Sequence, residues 1–83
     1  MTLKETINLM NSKDYKDRFR AEYLQLDMRI EGLSNMLEKY KCGELSFEPA
    51  CSYELLYTQL IFMKNYRDVL RGRALIEEID LDL

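Results

Sequence analysis

The sequence predicts an all-α fold: a long antiparallel helical hairpin with a short N-terminal helix, assembling into a helical homo-oligomer. Three observations lead there. Two long amphipathic segments flank one short break, only one Pro and three Gly occur among 83 residues, and 33% of residues are charged. A two-helix hairpin of this size has a poor surface-to-volume ratio and needs a staple, a metal or a partner. With no metal-ligand set in the sequence, self-association is the expected answer.

Residues 1–11 read as the short N-terminal helix. Leu3, Ile7 and Met10 recur at steps of four and three, with Thr2 as N-cap and Glu5 three residues later. Asn11, Ser12 and Lys13 break it, and Ser12 or Asp14 caps the next helix. The first long helix is expected over 14–41. Phe19, Tyr23, Leu26, Ile30, Leu33, Leu37 and Tyr40 alternate steps of four and three without a miss, the spacing of a seam between packed helices. Leu24, Met28 and Met36 widen that apolar surface beyond the need of one partner. Residues 42–51 form the turn: Gly43 suits a left-handed C-cap, Leu45 and Phe47 are expected to fold onto the bundle, and Pro49 stops any helix. The second long helix is expected over 52–79, with Ser52 as N-cap and Leu56, Leu60, Met63 and Leu70 on its seam. Leu55, Gln59, Tyr66 and Arg73 lie close beside that seam, and Arg67 interrupts a stripe. An Arg there either snorkels to water or faces an anion. Residues 80–83 are an acidic tail that extends onto a neighbouring subunit or frays.

The formal net charge is −3 and the pI about 4.9, which argues against a DNA or RNA polymer as partner. No stretch approaches a membrane span, and MTLKETINLM lacks the apolar core of a secretory signal, so a cytoplasmic location is expected. Cys42 and Cys51 are then expected as reduced thiols. Enzyme activity is not expected. The chain has no His, no Ser in a nucleophile-elbow setting, no phosphate-cradling glycine loop and no Glu-x-x-His pair, so neither a metal nor a cofactor is expected.

What the sequence does offer is a basic and aromatic end. Lys13, Lys16, Arg18 and Arg20 stand against Asp14 and Asp17, and Lys64, Arg67, Arg71 and Arg73 stand against Asp68. A turn at 42–51 brings both groups to the end away from it. Arg suits bidentate phosphate contacts, and Tyr and Phe suit stacking on bases. The candidate ligand-binding residues are Tyr15, Lys16, Arg18, Phe19, Arg20, Tyr23, Tyr66, Arg67 and Arg73. Tyr15, Phe19 and Tyr23 would stack; Lys16, Arg18, Arg20, Arg67 and Arg73 would meet phosphates. The plainer alternative is a salt-bridged helical surface whose cations are covered by the acidic tail from Glu77 to Asp82.

The runs AEYLQLDMRIEGLSNMLEKY and ELLYTQLIFMKNYRDVLRGR carry a resemblance. Arg18, Glu22, Leu26, Arg29, Ile30 and Leu33 on the first helix, then Leu55, Leu56, Gln59, Met63, Tyr66, Leu70 and Arg73 on the second, resemble the anti-CBASS cyclic-oligonucleotide sponges and related proteins of crAss-like phages. The resemblance covers most of residues 14–73; the turn, with Phe47 and Pro49, departs from the sponge pattern. It implies a phage anti-defence protein acting in the cytoplasm of the infected bacterial host. Such a protein is a compact helical hexamer that binds a cyclic dinucleotide or trinucleotide between subunits without cleaving it. The alternative is a non-catalytic helical adaptor that presents its apolar stripe to a host or phage protein. Hydrolysis of the same nucleotides is a third reading.

Overall fold

A computed structural model describes residues 2–82, and all regular structure within them is helical. Met1 and Leu83, included in the expected N-terminal helix and tail, lie outside the described residues. The N-terminal arm is a 3-10 turn, Leu3–Thr6, running into a single α-helical turn, α1, Ile7–Met10. The long helices are α2, Tyr15–Cys42, and α3, Tyr53–Glu77. They pack antiparallel into a body of 43 × 25 × 19 Å, with the arm laid along α2.

Local chemistry sets the helix ends. The Asp14 carboxylate accepts from the Lys16 amide at 3.0 Å, and Ser52 Oγ accepts from the Leu55 amide at 3.2 Å. Gly43 closes α2 at φ 72°, where a glycine lacks the Cβ penalty of other residues. The N-terminal arm is tied to α2 through Thr6, which is fully buried: its hydroxyl donates to the Leu3 carbonyl at 2.6 Å and accepts from Gln25 Nε2 at 2.8 Å.

The core is one seam between α2 and α3. Phe19, Leu26, Ile30 and Leu37 of α2 meet Leu60, Leu70 and Ala74 of α3, with Tyr23, Leu33, Met36, Leu56 and Met63 packed at the edges. Leu70 is 1% exposed. Near the turn, Tyr40 meets Tyr53 edge-on at 5.6 Å, and Tyr53 stacks with Tyr57 at 6.0 Å. Leu45 is half-buried, but Phe47 is exposed, contrary to the expectation that both fold onto the bundle. Both cysteines are free and exposed.

The C-terminal end departs most from expectation. α3 stops at Glu77, because Glu78 turns left-handed at φ 57° and the Ile79 amide bonds the Ala74 carbonyl at 2.9 Å. That reversal drops Ile79 into the chain's own core at 6% exposed, with Leu81 packed beside it. The tail neither frays nor reaches outward over these residues. Burying Ile79 outweighs the freedom of an extended end.

Candidate functional site

At the open end of the hairpin, α2 presents Tyr15, Lys16, Phe19, Arg20 and Tyr23, and α3 presents Arg71, Arg73 and Glu77. Glu77 joins the two helices. The Tyr15 hydroxyl donates to Glu77 Oε1 and accepts from Arg73 at 2.7 Å, while Arg73 Nε donates to Glu77 Oε2 at 2.9 Å. The Arg73 guanidinium also lies over the Phe19 ring, 4.9 Å from its centroid. The Tyr15 hydrogen bond, then Arg73, holds the Glu77 carboxyl below the usual carboxylate range. In turn the bond to Glu77 pushes the Tyr15 phenol up.

The tail completes this closure. Arg20 Nε donates to the Asp80 carbonyl at 2.7 Å, and Lys16 Nζ donates to the Glu78 carbonyl at 3.4 Å. Arg20 also pairs with Asp17 at 3.0 Å. The Tyr23 hydroxyl accepts from Arg71 Nε at 3.1 Å. The structure therefore does gather Tyr15, Lys16, Phe19, Arg20, Tyr23 and Arg73 at one end, but their polar groups bond one another or the tail. Phe19, at 3% exposed, is a core side chain rather than an open stacking surface. Its place on an unbroken seam explains why.

Arg67 stands apart from that end. It occupies the seam position between Met63 and Leu70, and its Nη1 pairs with Asp27 of α2 at 2.9 Å. Its buried Nε has no partner among the described residues.

The remaining two candidates, Arg18 and Tyr66, line a second place. An open cleft of about 460 Å³ runs along α2 between the N-terminal arm and α3, bordered by Met10, Arg18, Glu22, Gln25, Arg29 and Tyr66 over a floor of Ala21 and Leu26. Neither Arg18 nor Arg29 has a carboxylate within ion-pair distance among the described residues. Arg18 donates one bond, to the Ser12 carbonyl at 2.8 Å. Tyr66 is exposed. Two open guanidinium groups and a phenol ring along one cleft can hold an anion that carries a flat ring, while Gln25 Nε2 is already engaged by Thr6 and Met10. Sequence reasoning did not single out Gln25 or Arg29 for ligand contact. The signal was present: Arg18, Glu22, Gln25 and Arg29 are separated by steps of four, three and four, which put them on one helix face.

The family model for Sequestin matches residues 13–76. The chain belongs to the Sequestin family. Every residue proposed from sequence for ligand contact falls inside the matched span, as does Arg29, whereas Glu77 and the tail that close the open end lie beyond it. A second similarity is to an uncharacterized 7.5 kDa protein from the denB–rIIB intergenic region of Enterobacteria phage T4. It is 41% identical over 59 residues, covering 71% of this chain and 88% of the T4 protein. No solved structure matches. No helix among the described residues is long and apolar enough to cross a membrane.

Proposed function

We propose that this chain is a phage anti-defence protein that binds a cyclic di- or trinucleotide second messenger in the cytoplasm of the infected host. It holds the messenger uncleaved, and so blocks CBASS-type immune signalling. The observation that carries the reading is the cleft with Arg18, Arg29 and Tyr66 on its walls, in a protein of net charge −3. Arg18 and Arg29 form no ion pair among the described residues, although Glu22 lines the same cleft, and guanidinium groups suit phosphodiesters, whose charge they meet with two parallel bonds each. The Tyr66 face suits a base, a contact worth about 1–3 kcal/mol where such stacking has been measured. The Sequestin name and the phage origin of the T4 relative agree with sequestration. Holding rather than cleaving fits a chain without histidine. A homo-oligomer, a hexamer in this reading, accounts for apolar surface that one hairpin leaves open.

The test is calorimetric titration with a panel of cyclic di- and trinucleotides, then heat release and chromatography of the ligand. Tight binding with intact ligand recovered is the expected result. Arg29→Ala should weaken it at least about tenfold, the usual scale for losing a charge-assisted hydrogen bond. No binding by the folded protein, or recovery of linear products, overturns the proposal. The adaptor reading draws on the exposed apolar face of α3 and requires a monomer with that face free.

A further inference from the structure

α3 carries two stripes, and the hairpin uses one. The inner stripe, Leu56, Leu60, Met63, Leu70 and Ala74, faces α2. On the far side Leu55, Phe62, Val69 and Ile76 recur every seven residues, at 60, 67, 61 and 84% exposure. A strict seven-residue repeat keeps these side chains in line along a slightly supercoiled helix for about 32 Å. Thr58, Asn65 and Gly72, all short, run down one flank. Among the described residues nothing lies within 4 Å of the Cβ that Gly72 lacks, as is also true of Gly32 in α2, so Gly72 leaves room beside this face for another helix.

We infer that this outer face of α3 packs antiparallel against the same face of a second copy of the chain, about a two-fold axis between Asn65 and Tyr66. The spacing is self-complementary. That axis sets Leu55 against Ile76 of the second copy and Phe62 against Val69, a large side chain beside a smaller one at each inner contact. A parallel pairing would set Phe62 on Phe62 and Arg73 on Arg73. Four such side chains on each copy offer on the order of 1,000 Å² in total, the scale at which a specific interface separates from incidental contact. This deepens the homo-oligomer part of the proposed function and rests on it. Its test involves no nucleotide, so either can fail without the other.

Sedimentation velocity of the full chain is the first arm. A dimer, or a larger assembly built on it, is expected at micromolar concentration. Phe62→Lys should weaken association by at least about a hundredfold, because each dimer loses two large apolar contacts. Helicity should be unchanged, since Phe62 makes no core contact. The second arm fixes the register in a background where Cys42 and Cys51 are replaced by Ser. Phe62→Cys protein mixed with Val69→Cys protein should give a disulfide-linked heterodimer, with little self-linkage of either alone. A wild-type monomer overturns the inference and leaves the face to an unrelated protein. An assembly unmoved by Phe62→Lys places the interface elsewhere, and self-linked Phe62→Cys overturns the antiparallel register.

Discussion

Glu77 is the residue on which the open end turns, because it accepts from Tyr15 on one helix and Arg73 on the other. These bonds set its pH behaviour. With its carboxyl held below the ordinary range, the stability it contributes is fully present above about pH 4.3, the usual unfolded value for Glu. It is lost as pH falls through the lower folded value. Tyr15 acts at the other edge: its contribution is present below about pH 10 and lost as pH rises through its raised value. Thermal unfolding measured from acid to alkaline pH should show a plateau between these limits. Glu77→Gln should flatten the acid limb and soften the alkaline one; an acid limb identical to wild type would remove Glu77 from this role. The candidate residues were legible as types, since Arg beside Tyr at both segment ends is visible in sequence. Their pairing was not, because the bonds from Tyr15 to Glu77 and from Arg20 to Asp80 span 62 and 60 residues.

α3 is the element under most competing demand, with one stripe buried, one exposed and Arg67 inside the buried one. Among the described residues the guanidinium there has one ion pair, to an Asp27 side chain that is 44% exposed, and an Nε that finds no acceptor. Removing an imperfectly satisfied charge from a seam is often neutral or favourable when an apolar side chain fills the space. Arg67→Leu is therefore expected to stabilise the hairpin by about 1 kcal/mol, measured as a higher urea midpoint at constant slope. Asp27 retains access to water. A loss of stability would show that the Asp27 pair, not seam packing, dominates at this position. The interruption was plain from the step between Met63 and Leu70; the identity of its partner required α2 and α3 in register.

On the scale of the whole molecule, the tail decides how the hairpin is closed. Ile79 reaches the core because Glu78 takes a left-handed conformation, and from there the chain lays its carbonyls across Lys16 and Arg20. Closure thus couples packing to charge: the apolar side chain anchors the strap, and the backbone carbonyls occupy the cations. Ile79→Ala should cost about 2–4 kcal/mol, in line with other large-to-small core changes, read by urea unfolding at fixed protein concentration. A change below about 0.5 kcal/mol, typical of surface sites, would mean that the tail is not part of the cooperative core. The cleft along α2 is a property of this scale too, since its walls come from the N-terminal arm, α2 and α3 together.

By itself the sequence determined the two long helices, their N-caps and the Gly43 C-cap, the turn and the inner seam, but not the left-handed Glu78 that ends α3. Those features arise from periodicity, capping chemistry and scarce Gly and Pro, all of which act over a few residues. Only the tertiary structure decided that the tail folds back over the basic end, and that Arg18 and Arg29 stay open beside Tyr66; that Phe19 is core was already signalled by its place on the seam. The physical reason is range. Whether a cation is spent internally depends on groups brought from the far end of the chain, and that choice is made when burial of Ile79 fixes where the last turn of α3 and the tail must lie.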